Sequence, residues 1–135
     1  MSTKHERCEA ANELLKEIAN CGRRFFYHDG RVSRFEIDYR GRIWFIDKYR
    51  EARLYCHGPY ALTSPAFTEG GTLASLCRSL AACFIQDGMP IHQSSLGPWP
   101  EWLCDGDLWG YGEDMEKIRD RAAELGVVAS WAVAS

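Results

Sequence analysis

Cys8, Ala11, Leu15 and Ile18 recur at the spacing of one helical face, with Glu9, Glu13, Lys16 and Glu17 between them. Thr3 followed three residues later by Glu6 forms a capping-box pair, and Gly22 supplies a stop. The pattern predicts a first helix over about residues 3 to 21, with one apolar face.

Beyond it the period changes to two. Asp29-Gly30 stands between Arg24–His28 and Arg31–Tyr39, a strong hairpin signal for a two-residue type I′ turn. Such a turn sets Arg24 opposite Phe35 and Phe26 opposite Ser33. The second strand alternates, with Phe35, Ile37 and Tyr39 on one face and Arg34, Glu36 and Asp38 on the other. Arg40-Gly41 reads as another tight turn into a strand over Ile43 to Lys48. That register places Trp44 beside Ile37 and Ile46 beside Phe35, so Trp44 is expected on their shared face. A fourth strand, Ala52 to His57, completes an antiparallel meander.

Gly58-Pro59, Pro65 and Gly70-Gly71 mark a loop. Thr72 can cap the next helix, whose stripe is Leu73, Leu76, Cys77, Leu80 and Phe84 and whose end is set by Gly88 and Pro90. Met89 to Gly112 shows neither period, although its tryptophans and leucines have to pack somewhere. Glu113 and Asp114 open a third helix with Met115, Ile118, Ala122 and Leu125 on one face and Gly126 as its stop. Val127 to Ala134 reads as an extra edge strand, through which two copies could pair as a homodimer. The whole is a single α+β domain, residues 1–135: an N-terminal helix, a three- to four-stranded antiparallel β-meander, and two further helices packed on the sheet.

With 135 residues, 46% of them hydrophobic, one core is affordable. No run approaches the roughly 18 apolar residues of a membrane span, and Met1 to Lys16 is polar rather than signal-like, so a cytoplasmic protein with no membrane partner is expected. Cys8, Cys21, Cys56, Cys77, Cys83 and Cys104 then read as reduced thiols, with Cys8, Cys77 and Cys83 buried as small hydrophobes.

Candidate chemistry is sparse. The cysteines and the four histidines form no C-x-x-C pair, and adjacent Cys56 and His57 point to opposite faces of a strand, so no metal or cofactor is expected. Cys104 or Ser94 with His92, or His28 with Asp29, would be the nucleophile and base of an enzyme, but none sits in a nucleophile context. Gly70-Gly71-Thr72 precedes a helix without the Lys-Ser/Thr pair or the strand of a phosphate loop. The reading is non-enzymatic.

Charge is divided unevenly. Residues 1–60 carry twelve Lys/Arg against nine Asp/Glu, and residues 61–135 carry four against ten. Residues 23–53 hold nine of those cations interleaved with aromatics, as single-strand binders do, which makes Arg23, Arg24, Arg31, Arg34 and Arg42 candidate nucleic-acid contacts. The helix, meander, helix order has the outline of a double-stranded-RNA-binding domain, but its last helix lacks that family's lysine cluster. Conversely Glu101, Asp105, Asp107, Glu113, Asp114 and Glu116 lie in sixteen residues without Lys or Arg. With Trp99, Trp102, Trp109 and Tyr111 they form a candidate acidic, aromatic docking surface for a basic partner. The competing reading is an ordinary acidic helix start with tryptophans filling the core.

Gly97-Pro98-Trp99-Pro100, then Asp107-Leu108-Trp109-Gly110-Tyr111-Gly112 with Asp114-Met115 and Arg119, resembles a pattern in small uncharacterised proteins of proteobacterial prophages and mobile elements. Arg24–His28 with Gly30-Arg31, and Thr68 to Leu73, add to the likeness, which spans about residues 23 to 126. The resemblance assigns no catalytic residue. It implies a phage accessory protein in a bacterial host cell, with inhibition of a host defence protein or nucleoprotein complex, such as anti-CRISPR activity, as the specific expectation. A nucleic-acid-binding regulator is the alternative.

Overall fold

The computed structural model describes residues 3–48, 51–57, 71–96, 109–110 and 112–129. The elements are α1 (Lys4–Ala19), β1 (Tyr27–His28), β2 (Arg31–Val32), β3 (Arg34–Ile37), β4 (Ile43–Asp47), β5 (Ala52–Tyr55), α2 (Gly71–Ser79) continuing as a π-helix (Leu80–Gln86), a 3₁₀ turn (Gln93–Leu96) and α3 (Asp114–Glu124). The strands form two antiparallel sheets, β1-β2 and β3-β4-β5. The expected α+β class and order are present.

The capping box at α1 is complete: the Glu6 N–H donates to the Thr3 hydroxyl at 3.1 Å, and the Thr3 N–H donates to the Glu6 carboxylate at 3.2 Å. Ala11, Leu14, Leu15 and Ile18 are fully buried. They can be, because α1 lies centrally: it packs on β3, on the π-helix and on α3. The core thus joins Phe35, Ile43 and Phe45 of the sheet to Leu76, Leu80, Ile85 and Ile118 of the later helices.

At the hairpin, Tyr27 faces Val32 and His28 faces Arg31, and Asp29 (φ 50°) and Gly30 (φ 79°) take the two positive φ angles of a type I′ turn. Phe26 lies opposite Ser33 as predicted, since the Ser33 N–H donates to its carbonyl at 2.8 Å. The pairing stops there. Arg24 and Phe26 both have positive φ, which turns the chain inward and buries the Phe26 ring edge-on to Phe45, so Arg24 does not reach Phe35. Ser33 is the hinge between the sheets, its backbone continuing the hairpin while its hydroxyl accepts from the Lys48 N–H at 3.0 Å.

In the second sheet the predicted register is off by one residue. Phe35 pairs with Phe45 and Glu36 with Trp44, so Trp44 leaves the core face and Phe45 enters it. The cause is the Asp38 carboxylate. It accepts from the Arg40 and Arg42 N–H groups, each at 2.9 Å, and with Gly41 at φ 78° this makes a three-residue bulged loop rather than a two-residue turn. Tyr39 falls in that loop and is exposed instead of sharing a face with Phe35.

The stripe Leu73, Leu76, Cys77, Leu80 and Phe84 is buried, and Gly88 (φ 71°) ends the π-helix. Cys83, expected to be buried, is exposed. The wider turn of a π-helix moves the buried set to Leu80, Ala81, Phe84 and Ile85 and rotates Cys83 outward. α3 buries Met115, Ile118 and Ala122 as read. The expected C-terminal edge strand is, within the described residues, a single parallel bridge between Ile91 and Val128. Val127 and Val128 are buried there, and residues 130–134 lie outside the described residues.

Candidate functional site

Alternation along β3, β4 and β5 sends Phe35, Ile43 and Phe45 to the core, and the opposite face carries the polar and aromatic side chains. Two cross-strand rows fill it: Arg34, Ile46 and Arg53, then Glu36, Trp44 and Tyr55. Asp38, Arg42 and His57 continue the same face beyond the strand ends.

These groups hold one another in place. The Trp44 indole N–H donates to Asp38 Oδ2 at 3.0 Å, and Arg42 Nε donates to the same oxygen at 2.9 Å. Desolvation pushes the Asp38 carboxyl up, but bonds from the Trp44 indole and from Arg42 and Arg40 outweigh it and hold the group far below the usual carboxylate range. The Trp44 ring lies tilted against Tyr55 at 4.9 Å between centroids, and Tyr55 against His57 at 4.9 Å. The Arg53 guanidinium sits 4.1 Å from the Trp44 centroid and that of Arg42 6.0 Å from it. Arg34 bonds Glu36 at 2.6 Å. Tyr55 is 42% exposed, and Arg53 and His57 are also exposed. A column of rings and guanidinium planes of this kind can stack flat groups and attract anions.

Of the predicted arginines, the structure brings Arg34 and Arg42 onto this face. Arg31 lies on the hairpin, ion-paired with Glu51, and Arg24 stacks on Tyr27 at 4.5 Å. Arg23 and Arg24 belong to the loop before β1, not to a strand. Arg53 and Trp44 fall in the basic, aromatic run of residues 23–53 but are not among its named contacts, because the expected register puts Trp44 inside, and His57 is read only as a metal-ligand candidate. The readable signal was the alternation of Arg53, Tyr55 and His57 with Leu54 and Cys56.

Trp99, Trp102, Asp105, Asp107 and Tyr111 of the acidic segment lie outside the described residues. Trp109 is fully buried, donating its indole N–H to the Leu96 carbonyl at 3.2 Å and meeting Phe25 edge-on at 6.2 Å. Asp114 accepts the Gly22 N–H at 2.9 Å with its side chain 14% exposed. Both therefore hold the fold together. Glu113 and Glu116 are exposed at the start of α3.

His92 is exposed, and Cys104 and the Ser94 side chain lie outside what is described. Burial pushes the Cys8 thiol up to about 11 and the Cys56 thiol up to about 12, which makes both poor nucleophiles. Among the described residues no group of three or more His, Cys, Asp or Glu could hold a metal ion, and no helix is long and apolar enough to cross a membrane. A concavity of about 560 Å³ between α1 and the β2–β3 junction is lined by Glu6, Glu9 and Glu13 with Lys16, Ser33 and Arg34, and the Ser33 hydroxyl there is engaged by the Lys48 N–H.

A family model described as YoqU matches residues 2–133, which takes in the first helix as well as the motif-bearing segments. The chain is 27% identical over 127 residues to the SPbeta prophage-derived uncharacterized protein YoqU of Bacillus subtilis (strain 168), covering 91% of this chain and 83% of that protein. The prophage origin of that relative agrees with the resemblance read from the sequence, although its organism is a Bacillus and not a proteobacterium. No solved structure matches the chain.

Proposed function

The chain belongs to the YoqU family, and we propose that it is a phage accessory protein that acts by binding, with nucleic acid as its partner and the outer face of β3-β4-β5 as its contact surface. The observation that carries this reading is the placement of Arg34, Arg42 and Arg53 around the Trp44–Tyr55 pair on one exposed sheet face. Cations beside ring faces are what the phosphates and bases of a nucleic acid require. The test is fluorescence anisotropy of labelled oligonucleotides over a salt series. With Arg34 and Arg42 already paired to Glu36 and Asp38, about one to three phosphate contacts predict a log–log slope of affinity against salt between about −1 and −2 on a single strand. Replacing Arg34, Arg42 and Arg53 together with alanine should flatten that slope while circular dichroism stays unchanged. Absence of salt-dependent binding at any concentration of wild-type protein overturns the reading.

A second reading rests on the exposed carboxylates of Glu113, Glu116, Asp120 and Glu124 along α3. It is a protein–protein inhibitor of a host defence complex, anti-CRISPR-like, steered onto a basic partner by that charge. Its test is capture of defence-complex subunits from nuclease-treated host lysate. Loss of capture on reversing Glu113 and Glu116 supports it, and capture that ignores the reversal removes α3 as the contact.

A further inference from the structure

We infer that the ligand of the β3-β4-β5 face is an unpaired nucleic-acid strand whose bases stack on Tyr55 and on the Arg53 guanidinium plane, not a duplex. The inference rests on the nucleic-acid reading above and narrows it.

The arginines of this face are already engaged: Arg34 bonds Glu36, Arg42 bonds Asp38, and the Arg53 guanidinium carbon lies 4.1 Å from the Trp44 ring centroid. Glu36 and Asp38 offset two of the three positive charges, so the face neutralises only about one to three phosphates. Duplex binding that does not read base edges depends on many more such contacts and loses affinity steeply with salt.

Tyr55 is 42% exposed, with the Trp44 and His57 rings each tilted against it at 4.9 Å between centroids rather than stacked flat on its faces. Arg53 lies over Trp44 and is itself exposed. A base-paired duplex hides its base faces in its own stack, whereas an unpaired strand offers one π-face per nucleotide. The exposed Tyr55 ring and Arg53 guanidinium offer stacking surface that only an unpaired strand can use.

The face is also ordered. Trp44 is fixed by its hydrogen bond to Asp38 and by the Arg53 plane above it. Little side-chain freedom is left to lose when a base settles on the column.

The test compares three probes of equal length on the full chain: single-stranded oligo-dT, the dT·dA duplex, and an abasic strand of the same phosphate count. Single-stranded dT should bind at least about tenfold more tightly than the abasic strand, the expected range for losing base stacking on aromatic side chains. It should also bind more tightly than the duplex. Tyr55→Ala should remove most of the difference between dT and the abasic strand, and Tyr55→Phe, which keeps the ring, should restore it. Equal affinity for all three probes overturns the inference while leaving phosphate-based binding in place. No binding of any probe overturns both this inference and the nucleic-acid reading beneath it. The probe comparison on unaltered protein decides the matter even if Tyr55→Ala fails to fold.

Discussion

Asn12 of α1 pairs with Phe35 of β3 as a neighbouring strand would: its Nδ2 donates to the Phe35 carbonyl at 2.9 Å and its Oδ1 accepts the Phe35 N–H at 2.6 Å. The helix thereby satisfies both outward backbone groups of a residue on the free edge of β3, and blocks that edge against another strand. The central helix and the sheet that carries the candidate site are joined at this point.

Asn12→Leu keeps the volume but leaves the Phe35 N–H and carbonyl without Asn12. The carbonyl keeps the Cys8 thiol as a weak donor at 3.6 Å, so mainly the N–H is left unmet, and a loss of about 1–3 kcal/mol is expected. Urea unfolding followed by circular dichroism measures it through the midpoint. A loss under about 0.5 kcal/mol, the range of ordinary surface substitutions, would show that the amide is not needed at that edge.

Gly110 fits where no other residue can. A Cβ there would lie 2.5 Å from the Gly22 backbone nitrogen and 2.9 Å from its Cα, and would also strike the Asp114 carboxylate. Both Gly22 atoms are backbone, tied in by the Gly22–Asp114 and Arg23–Trp109 hydrogen bonds, so they cannot swing aside. Gly110→Ala should therefore cost about 3 kcal/mol, at the upper end of overpacking effects. Gly112→Ala meets nothing within 4 Å and carries only the strain of φ 62°, about 1–2 kcal/mol. Thermal unfolding of the pair should rank Gly110→Ala as clearly the worse, and the opposite order would mean that the close approach to Gly22 is relieved at little cost.

Signals confined to a few neighbouring residues were readable from the sequence. Thr3 with Glu6, Asp29-Gly30, and the spacing of Met115, Ile118 and Ala122 each act within a turn or two, and each gave the observed element. The β3–β4 register was not readable. It depends on a side chain, Asp38, bonding two backbone groups beyond it, and that one extra loop residue moved Trp44 from core to surface. The candidate site was hidden with it. The acidic segment shows the converse, since composition alone cannot tell a surface tryptophan from one like Trp109 that donates to a buried carbonyl.

The π-helix makes a separate prediction about thiols. An unbroken α-helix would bring Cys83 close to the Leu80–Phe84 stripe, whereas the wider turn leaves it exposed. Brief iodoacetamide treatment of native protein should label Cys83 and spare Cys8, Cys21, Cys56 and Cys77, as read peptide by peptide in mass spectrometry. Burial protects those four, and the raised thiols of Cys8 and Cys56 slow them further. Protection of Cys83 in the native protein would place the helix in the ordinary α phase.

Asp38 links the order of the sheet face to pH. Its carboxyl in the folded protein lies far below the usual carboxylate range, because the donors from Trp44, Arg42 and Arg40 outweigh the desolvation that opposes them. On acidification the unfolded chain takes up this proton first, near the ordinary aspartate value of about 4, while the folded chain stays ionised. The group's contribution to stability is therefore fully present above about pH 4 and is lost progressively as pH falls below it. Asp38→Asn should lower the urea midpoint at about pH 7, and the deficit against wild type should shrink as both are taken to about pH 3. An equal deficit at both values would mean that Asp38 acts through its shape and neutral hydrogen bonds alone. A shrinking deficit identifies its charge as what holds the loop, and with it the Trp44 ring, in the register that opens the sheet face to a ligand.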